Sequence, residues 1–309
     1  MLGRALCEEL SAEYEVTGMD IVKLEAQKHS KLEGFIECDI TDREKAIANI
    51  ASVKPDIVIH TAAYTDVDGC EQNPEKARRV NARGTETIAL ACQNCGAPLC
   101  YISTDFVFDG EKKSAYVEAD KPNPVNVYGK SKLDGETFVQ SILKDFIIVR
   151  SSWLFGKGGK NFVDTFLDKA KAEKRLKVVN DQFGCPTYAP DLARAIKALL
   201  SALSFELSAD IYHITNSGSC CWYEFAQAVK EIANLWYGIS KSRTTENRRK
   251  LSPKAIFLDI DIAPVSTEQY HSPARRPKLS ILNNSKFEKL TGKQLPHWQN
   301  ALKKYLTLL

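Results

Sequence analysis

The chain has 309 residues, is 44% hydrophobic and 26% charged, and carries a formal net charge of +3 at pH 7. That length allows a main domain with a sizeable core and a smaller one beside it, and so slight a charge gives no ground for a nucleic-acid or anionic-membrane partner. No apolar stretch approaches the roughly 20 residues that span a bilayer, the N-terminus lacks a basic region followed by an apolar one, and the nine cysteines are scattered rather than framed for disulfides, so the expected setting is cytoplasmic, with reduced thiols.

Through the first half, short apolar runs alternate with helical stretches. Tyr14-Glu15-Val16-Thr17-Gly18-Met19 reads as a strand ending in Asp20, and Phe35-Ile36-Glu37-Cys38 as one ending in Asp39. Asp56-Ile57-Val58-Ile59-His60-Thr61 ends before the pair Ala62 and Ala63. Helices are predicted over residues 42–53 and 74–95. Leu99-Cys100-Tyr101-Ile102-Ser103-Thr104-Asp105 is a run of β-forming residues that finishes in hydroxyls, a buried strand with polar groups at its carboxyl end. Pro122-Asn123-Pro124 then interrupts, and Asn126 is an N-cap for a helix carrying Tyr128 and Lys132 before the strand Phe146-Ile147-Ile148-Val149. Repeated β then α is the signature of an α/β, Rossmann-like doubly wound parallel sheet, in which ligands sit beyond the carboxyl ends of the strands.

The second half changes character. After Trp153, a helical stretch over 161–172 and segments at 209–214, 222–235 and 285–306 interleave with proline-rich and polar loops. Residues 1–150 are therefore predicted to form the main domain, with 175–203 returning to it, while 151–174 and 204–309 build a smaller, discontinuous one. Cys92-Gln93-Asn94-Cys95 has the spacing of a metal or redox pair, but no second pair or paired histidines accompany it, so no metal is assigned. Cys220-Cys221 reads as packing, and the run Lys241, Arg243, Arg248, Arg249, Lys250 as a solvated loop.

The chemistry concentrates in Tyr128-Gly129-Lys130-Ser131-Lys132, which sets a phenol and an ammonium four residues apart on one helix face. A nearby cation favours the phenolate. Bringing a tyrosine from a pKa of about 10 to about 7 needs roughly 4 kcal/mol, which one ammonium and a second positive charge, such as an oxidised nicotinamide ring, could supply. With the Thr104 hydroxyl at the preceding strand end, the set is a proton-delivery device. Asp20 ends the strand that presents an acid to the adenosine ribose in dinucleotide folds, which favours NADH over NADPH, although Lys23 lies three residues on.

Further landmarks follow in order: Asp39-Ile40-Thr41-Asp42, His60-Thr61-Ala62-Ala63-Tyr64, Asn81-Ala82-Arg83-Gly84-Thr85, Ser103-Thr104-Asp105-Phe106, Arg150-Ser151-Ser152-Trp153, Asp181-Gln182-Phe183-Gly184 and Ala274-Arg275-Arg276-Pro277. Together with the Tyr128 segment they resemble, over nearly the full chain, the extended short-chain dehydrogenase/reductase superfamily and, more narrowly, the dTDP-4-dehydrorhamnose reductase family. The resemblance implies a dinucleotide-binding main domain and a substrate-binding smaller one. It implies catalytic roles for Thr104, Tyr128 and Lys132, with Tyr128 and Lys132 also touching an NADPH or NADH cofactor. Asp39 and Ile40 would flank the adenine, and Ala62, Ala63 and Tyr64 would line the cleft, although the alanine pair also suits plain helix-to-sheet packing. Thr104, Asp105, Trp153, Arg275 and Arg276 would meet the substrate, with the arginines on its diphosphate. An ion pair for the arginines and a core position for Trp153 stay open. Phe106 stands where many relatives have tyrosine, so a phenol bond to substrate is absent.

The implied reaction reduces the C4 keto group of dTDP-4-dehydro-L-rhamnose to dTDP-L-rhamnose. Two other readings stand beside it: a non-catalytic subunit like the regulatory β subunit of methionine adenosyltransferase, and a reductase or epimerase of another nucleotide sugar. Homodimerisation and an interfacial Mg²⁺, known in some relatives, have no residue signature here. The superfamily opens with a strand and a Gly-x-x-Gly-x-x-Gly turn, whereas Met1-Leu2-Gly3-Arg4-Ala5-Leu6 matches its last glycine alone, at Gly3. A sheet without that central strand is expected, and with it poor solubility or weak NAD(P)H binding.

Overall fold

The computed structural model describes residues 1–22, 32–242 and 258–309. Lys23, Arg243, Arg248, Arg249 and Lys250 lie outside them, and of Lys241 only the backbone is described. The first half runs α1 (Leu2–Leu10), β1 (Thr17–Asp20), β2 (Gly34–Glu37), α2 (Arg43–Val53), β3 (Val58–His60), α3 (Val67–Gln72), α4 (Pro74–Ala77), a π-helical turn (Arg78–Arg83), α5 (Gly84–Cys95), β4 (Leu99–Thr104), α6 (Val127–Ile142) and β5 (Phe146–Ser151). Carboxylates start the helices after the strands: Asp42 accepts from the Lys45 amide and Asp66 from the Gly69 amide, satisfying donors that a helix leaves free at its first turn.

The second half adds β6 (Leu154–Phe155), α7 (Phe162–Ala172), β7 (Arg175–Val179), β8 (Phe183–Gly184), β9 (Thr187–Tyr188), α8 (Ala189–Ala202), β10 (Asp210–His213), β11 (Cys220–Cys221), α9 (Trp222–Ser242), β12 (Asp261–Val265), α10 (Thr267–Tyr270), α11 (Ser285–Thr291) and α12 (Trp298–Leu306). Among the described residues, no helix is long and apolar enough to cross a membrane, and all nine cysteines are free thiols.

The main sheet is parallel, in the order β10-β5-β4-β3, and β1 pairs with β2 in a separate parallel ladder. Among the described residues no ladder joins β1 to β3, and the parallel strands come in two hydrogen-bonded parts, the arrangement expected of a sheet without the strand between them. Every residue of β4 and β5 is buried, which is why both read as unbroken apolar runs. One face, Cys100, Ile102, Ile147 and Val149, packs on α1 and α8 through Leu6, Leu192 and Ile196. The other, Leu99, Tyr101, Phe146 and Ile148, packs on α2, α5 and α6 through Ile50, Ile88 and Val139. Burying such side chains contributes about 1.5–3 kcal/mol each, and the three layers fix where the strand ends lie.

A second core gathers Phe155, Phe166, Val178, Phe225, Ile262 and Trp298 from β6, α7, β7, α9, β12 and α12. The division between the two cores is finer than residue ranges suggest. β7, at the start of the stretch expected to return to the main domain, pairs with β12 and packs in the second core. β10 and Phe287 of α11, from the stretch expected mainly in the smaller domain, join the main sheet and its core.

Candidate active site

Asn126 sits in extended backbone ahead of α6; its Oδ1 accepts from the Gly129 amide at 2.8 Å and its Nδ2 donates to the Arg275 carbonyl at 2.8 Å. This cap fixes the start of the helix, so Tyr128 falls in its first turn and Lys132 one turn later on the same face. Gly129 permits the close approach of α6 to the end of β4, since a Cβ there would collide with the Phe106 carbonyl. The Tyr128 ring meets Phe106 edge-on, with centroids 6.0 Å apart and planes at 75°. Thr104 closes β4 beside them, its hydroxyl donating to Asp105 Oδ1 at 3.0 Å and accepting from the Phe106 amide at 3.2 Å.

Burial holds the Tyr128 phenol above its ordinary range; hydrogen bonding with Thr104 works against that, and the Asp105 charge works with it. Tyr128 is half-buried and Lys132 fully buried, its Nζ donating to the Ile102 carbonyl at 2.7 Å while lying 4.2 Å from the Tyr101 ring centre. Burial pulls the Lys132 pKa down to about 7, with the Glu136 carboxylate one turn on opposing the fall. The ammonium was expected against the phenol, favouring phenolate; it donates to Ile102 instead, and desolvation wins at both groups. Burial thus favours the protonated phenol at Tyr128.

Polar residues that the sequence reading left unassigned hold this cluster. Asn81, on the π-helical turn, accepts from the Tyr64 amide at 2.7 Å and donates to the Tyr64 carbonyl and to Ser131 Oγ, each at 3.0 Å, so the loop after β3 is tied to α6. Ser103 donates to Glu136 Oε1 at 2.5 Å, and Arg150 grips both oxygens of Glu136 at 2.9 and 2.6 Å. His60 bonds Thr85 Oγ1 at 3.1 Å and stacks on Tyr101, and burial, with the Lys132 charge, lowers its pKa to about 3. Two signals for these were in the sequence: Glu136 follows Tyr128 and Lys132 at the same four-residue step, and Arg150 ends a wholly apolar strand, where a charge requires a partner.

On the cofactor side, Gly3 lies in the first turn of α1, and a Cβ added there would come within 3.0 Å of Thr61 Oγ1. The Asp20 carboxylate is exposed at the end of β1, where it accepts from the Val22 amide, and Asp39 is exposed after β2. Ala62 is exposed and Ala63 and Tyr64 half-buried, in the loop that Asn81 pins. Ile40 stands apart from this group: it is buried against the position of Gly84, inside the core beneath α5.

The substrate candidates divide. Asp105 is buried behind Thr104, where it also accepts from Ser152 Oγ at 3.0 Å, and burial raises its pKa to about 6. Its two oxygens are engaged by the Thr104 and Ser152 hydroxyls. Trp153 adopts a positive φ of 45° and stacks on Trp222 at 3.5 Å, half-buried at the rim of the second core. Arg276 pairs with Asp68 at 2.9 Å and donates to the Ala274 carbonyl, whereas Arg275 is exposed beside Glu111. Both arginines thus take the ion-pair alternative in this structure.

Against known proteins, the sequence profile described as the RmlD substrate binding domain matches residues 1–309. The chain belongs to this family. Within the RmlD family it is 36% identical, over 99% of its own length and 93% of the relative's, to the spore coat polysaccharide biosynthesis protein SpsK of Bacillus subtilis. It is 37% identical to the dTDP-4-dehydrorhamnose reductase of Escherichia coli K12, over 88% of this chain and 85% of that one. Its fold matches the crystal structure of dTDP-4-dehydrorhamnose reductase from Bacillus anthracis in complex with NADP, with a TM-score of 0.79 and 34% identity over 98% and 95% of the two chains. The Clostridium acetobutylicum dTDP-4-dehydrorhamnose reductase gives a TM-score of 0.80 at 33% identity over 99% and 95%.

Proposed function

We propose that this chain reduces the C4 keto group of dTDP-4-dehydro-L-rhamnose to dTDP-L-rhamnose with a nicotinamide cofactor, NADPH or NADH. The observation that carries the reading is Thr104 closing β4 beside the Tyr128 phenol, with Lys132 one turn on along α6 and bonded back to β4, in a chain more than one third identical to named reductases over most of its length.

The residues present fit the cofactor. The first turn of α1 at Gly3 has little room for a side chain and offers unbonded amides and the positive end of the helix dipole to phosphate. Asp20 would take the ribose hydroxyls, and Ala62, Ala63 and Lys132 would line the nicotinamide half. A reduced nicotinamide bound there would supply the hydride. The phenol of Tyr128 gives its proton to the oxygen on C4, and Thr104 donates a hydrogen bond to that same oxygen as charge grows on it. Lys132 lies one turn on along α6 with its Nζ on the Ile102 carbonyl, and the positive charge it carries below its lowered pKa of about 7 would favour ionisation of the phenol. Because Thr104 has a single hydroxyl proton, that hydrogen would turn from Asp105 Oδ1 to the C4 oxygen when the sugar is bound. Phe106 lends Tyr128 only an apolar edge. Arg276 would leave Asp68 to meet the diphosphate.

The same reading extends to a cytoplasmic homodimer, with light scattering on the purified protein as its check. The test of function is a panel of 4-keto nucleotide sugars followed by loss of reduced-nicotinamide absorbance. Turnover with the dTDP-rhamnose precursor supports the reading, and turnover confined to other sugars overturns it.

A further inference from the structure

We propose that Glu136 is a positioning residue for the reducing site: a buried bridge from α6 to Ser103 of β4 and Arg150 of β5 sets the placement of Tyr128 and Lys132 against Thr104, a proposal that rests on the reductase reading above. Glu136 and Arg150 are almost fully buried, and their pairing is bidentate, a geometry that tolerates little rotation. Ser103 adjoins Thr104, and its hydroxyl reaches the same Glu136 oxygen that the Arg150 Nε holds. The helix that carries the acid and the strand end that carries its hydroxyl partner are thus tied at one carboxylate, one turn from Lys132.

That carboxylate also faces Lys132. Around the ammonium stand Glu136 from α6, Tyr101 from β4 and His60 from β3, with Arg150 of β5 reaching it only through Glu136. Of these, Glu136 alone is negative. His213 of β10 pairs in register with Arg150, and Arg150 Nη1 and His213 Nε2 are each buried without a hydrogen-bond partner among the described residues.

The experiment uses the full chain and Glu136→Gln, which preserves shape and removes the charge. Lys132, followed by NMR of its labelled side-chain terminus, is expected to titrate about 1 pH unit or more lower in the variant, the effect of losing a close opposite charge. In the reductase assay kcat is expected to fall roughly 10- to 100-fold, with sugar-nucleotide KM within about threefold of wild type. The high-pH limb of kcat should move to lower pH by the NMR shift. Ser103→Ala, which strands no charge, should lower kcat in the same direction by less, without loss of folded protein. An unshifted Lys132 titration in folded Glu136→Gln overturns the proposal whether or not turnover is detected, as does Ser103→Ala with wild-type kcat. A folded wild-type chain that reduces no 4-keto nucleotide sugar overturns the reductase reading and this proposal with it, and is told apart because no variant enters that result.

Discussion

Replacing Tyr128 with phenylalanine removes one oxygen from the site and little else. The edge-on contact with Phe106, worth about 0.5–1.5 kcal/mol, depends on the ring and survives. The interaction of the phenol with the Thr104 hydroxyl is lost, but Thr104 keeps Asp105 and the Phe106 amide as partners, so the net cost to folding is about 1 kcal/mol or less. The cost to chemistry is larger, because the alkoxide forming at C4 then has no acid in place, and positioned proton transfer contributes about 10²- to 10⁴-fold. Single-turnover rates at saturating substrate and NADPH isolate this step from binding. The expected outcome is a rate lower by that factor, with sugar-nucleotide affinity unchanged and a similar thermal midpoint. A variant rate within about threefold of wild type would remove Tyr128 from the mechanism.

Three further outcomes follow from the geometry. Gly129→Ala pushes a methyl into the Phe106 carbonyl and should cost about 1–3 kcal/mol of stability, with kcat falling as α6 moves off β4; a thermal midpoint and kcat equal to wild type would show that the approach is not tight. Arg276→Ala should raise the sugar-nucleotide Kd by about 1.5–3 kcal/mol while leaving cofactor affinity alone, and calorimetry showing unchanged affinity would confine Arg276 to its pair with Asp68. His60 and His213 are held neutral by burial, each with its pKa lowered to about 3. An unfolded histidine takes its proton near pH 6.5, so between there and about 3 the unfolded state binds more protons and stability falls as pH falls. Asp105, raised to about 6, acts in the opposite sense over a narrower window. Urea midpoints measured from about pH 7 to about pH 4 should therefore drop, less so in a His213→Asn variant, and a variant with an undiminished slope would remove His213 from this account.

Local signals were legible in the sequence, and distant pairings were not. The runs Leu99–Asp105 and Phe146–Val149 announced the strands found at Leu99–Thr104 and Phe146–Ser151 because both their faces are covered, and Asn126 announced α6 because a cap acts within three residues. Arg276 and Asp68 lie 208 residues apart, and no local pattern couples them. β10 is four residues with two polar ends, too short for periodicity to separate it from the loops around it. The tyrosine–lysine spacing was read correctly as one helix face, yet the direction of the Lys132 ammonium depends on the Ile102 carbonyl of a neighbouring strand. Desolvation, which sets the protonation of both groups, is a property of the packed fold alone.

The central claim is that a hydride is delivered to C4 of the keto sugar while this chain protonates the oxygen. NADPH deuterated at its transferable position, incubated with the chain and dTDP-4-dehydro-L-rhamnose, tests it most directly. The account expects dTDP-L-rhamnose carrying deuterium at C4 of the sugar, formed mole for mole with oxidised cofactor. Deuterium at another carbon, or sugar turnover with no cofactor oxidised, would contradict it.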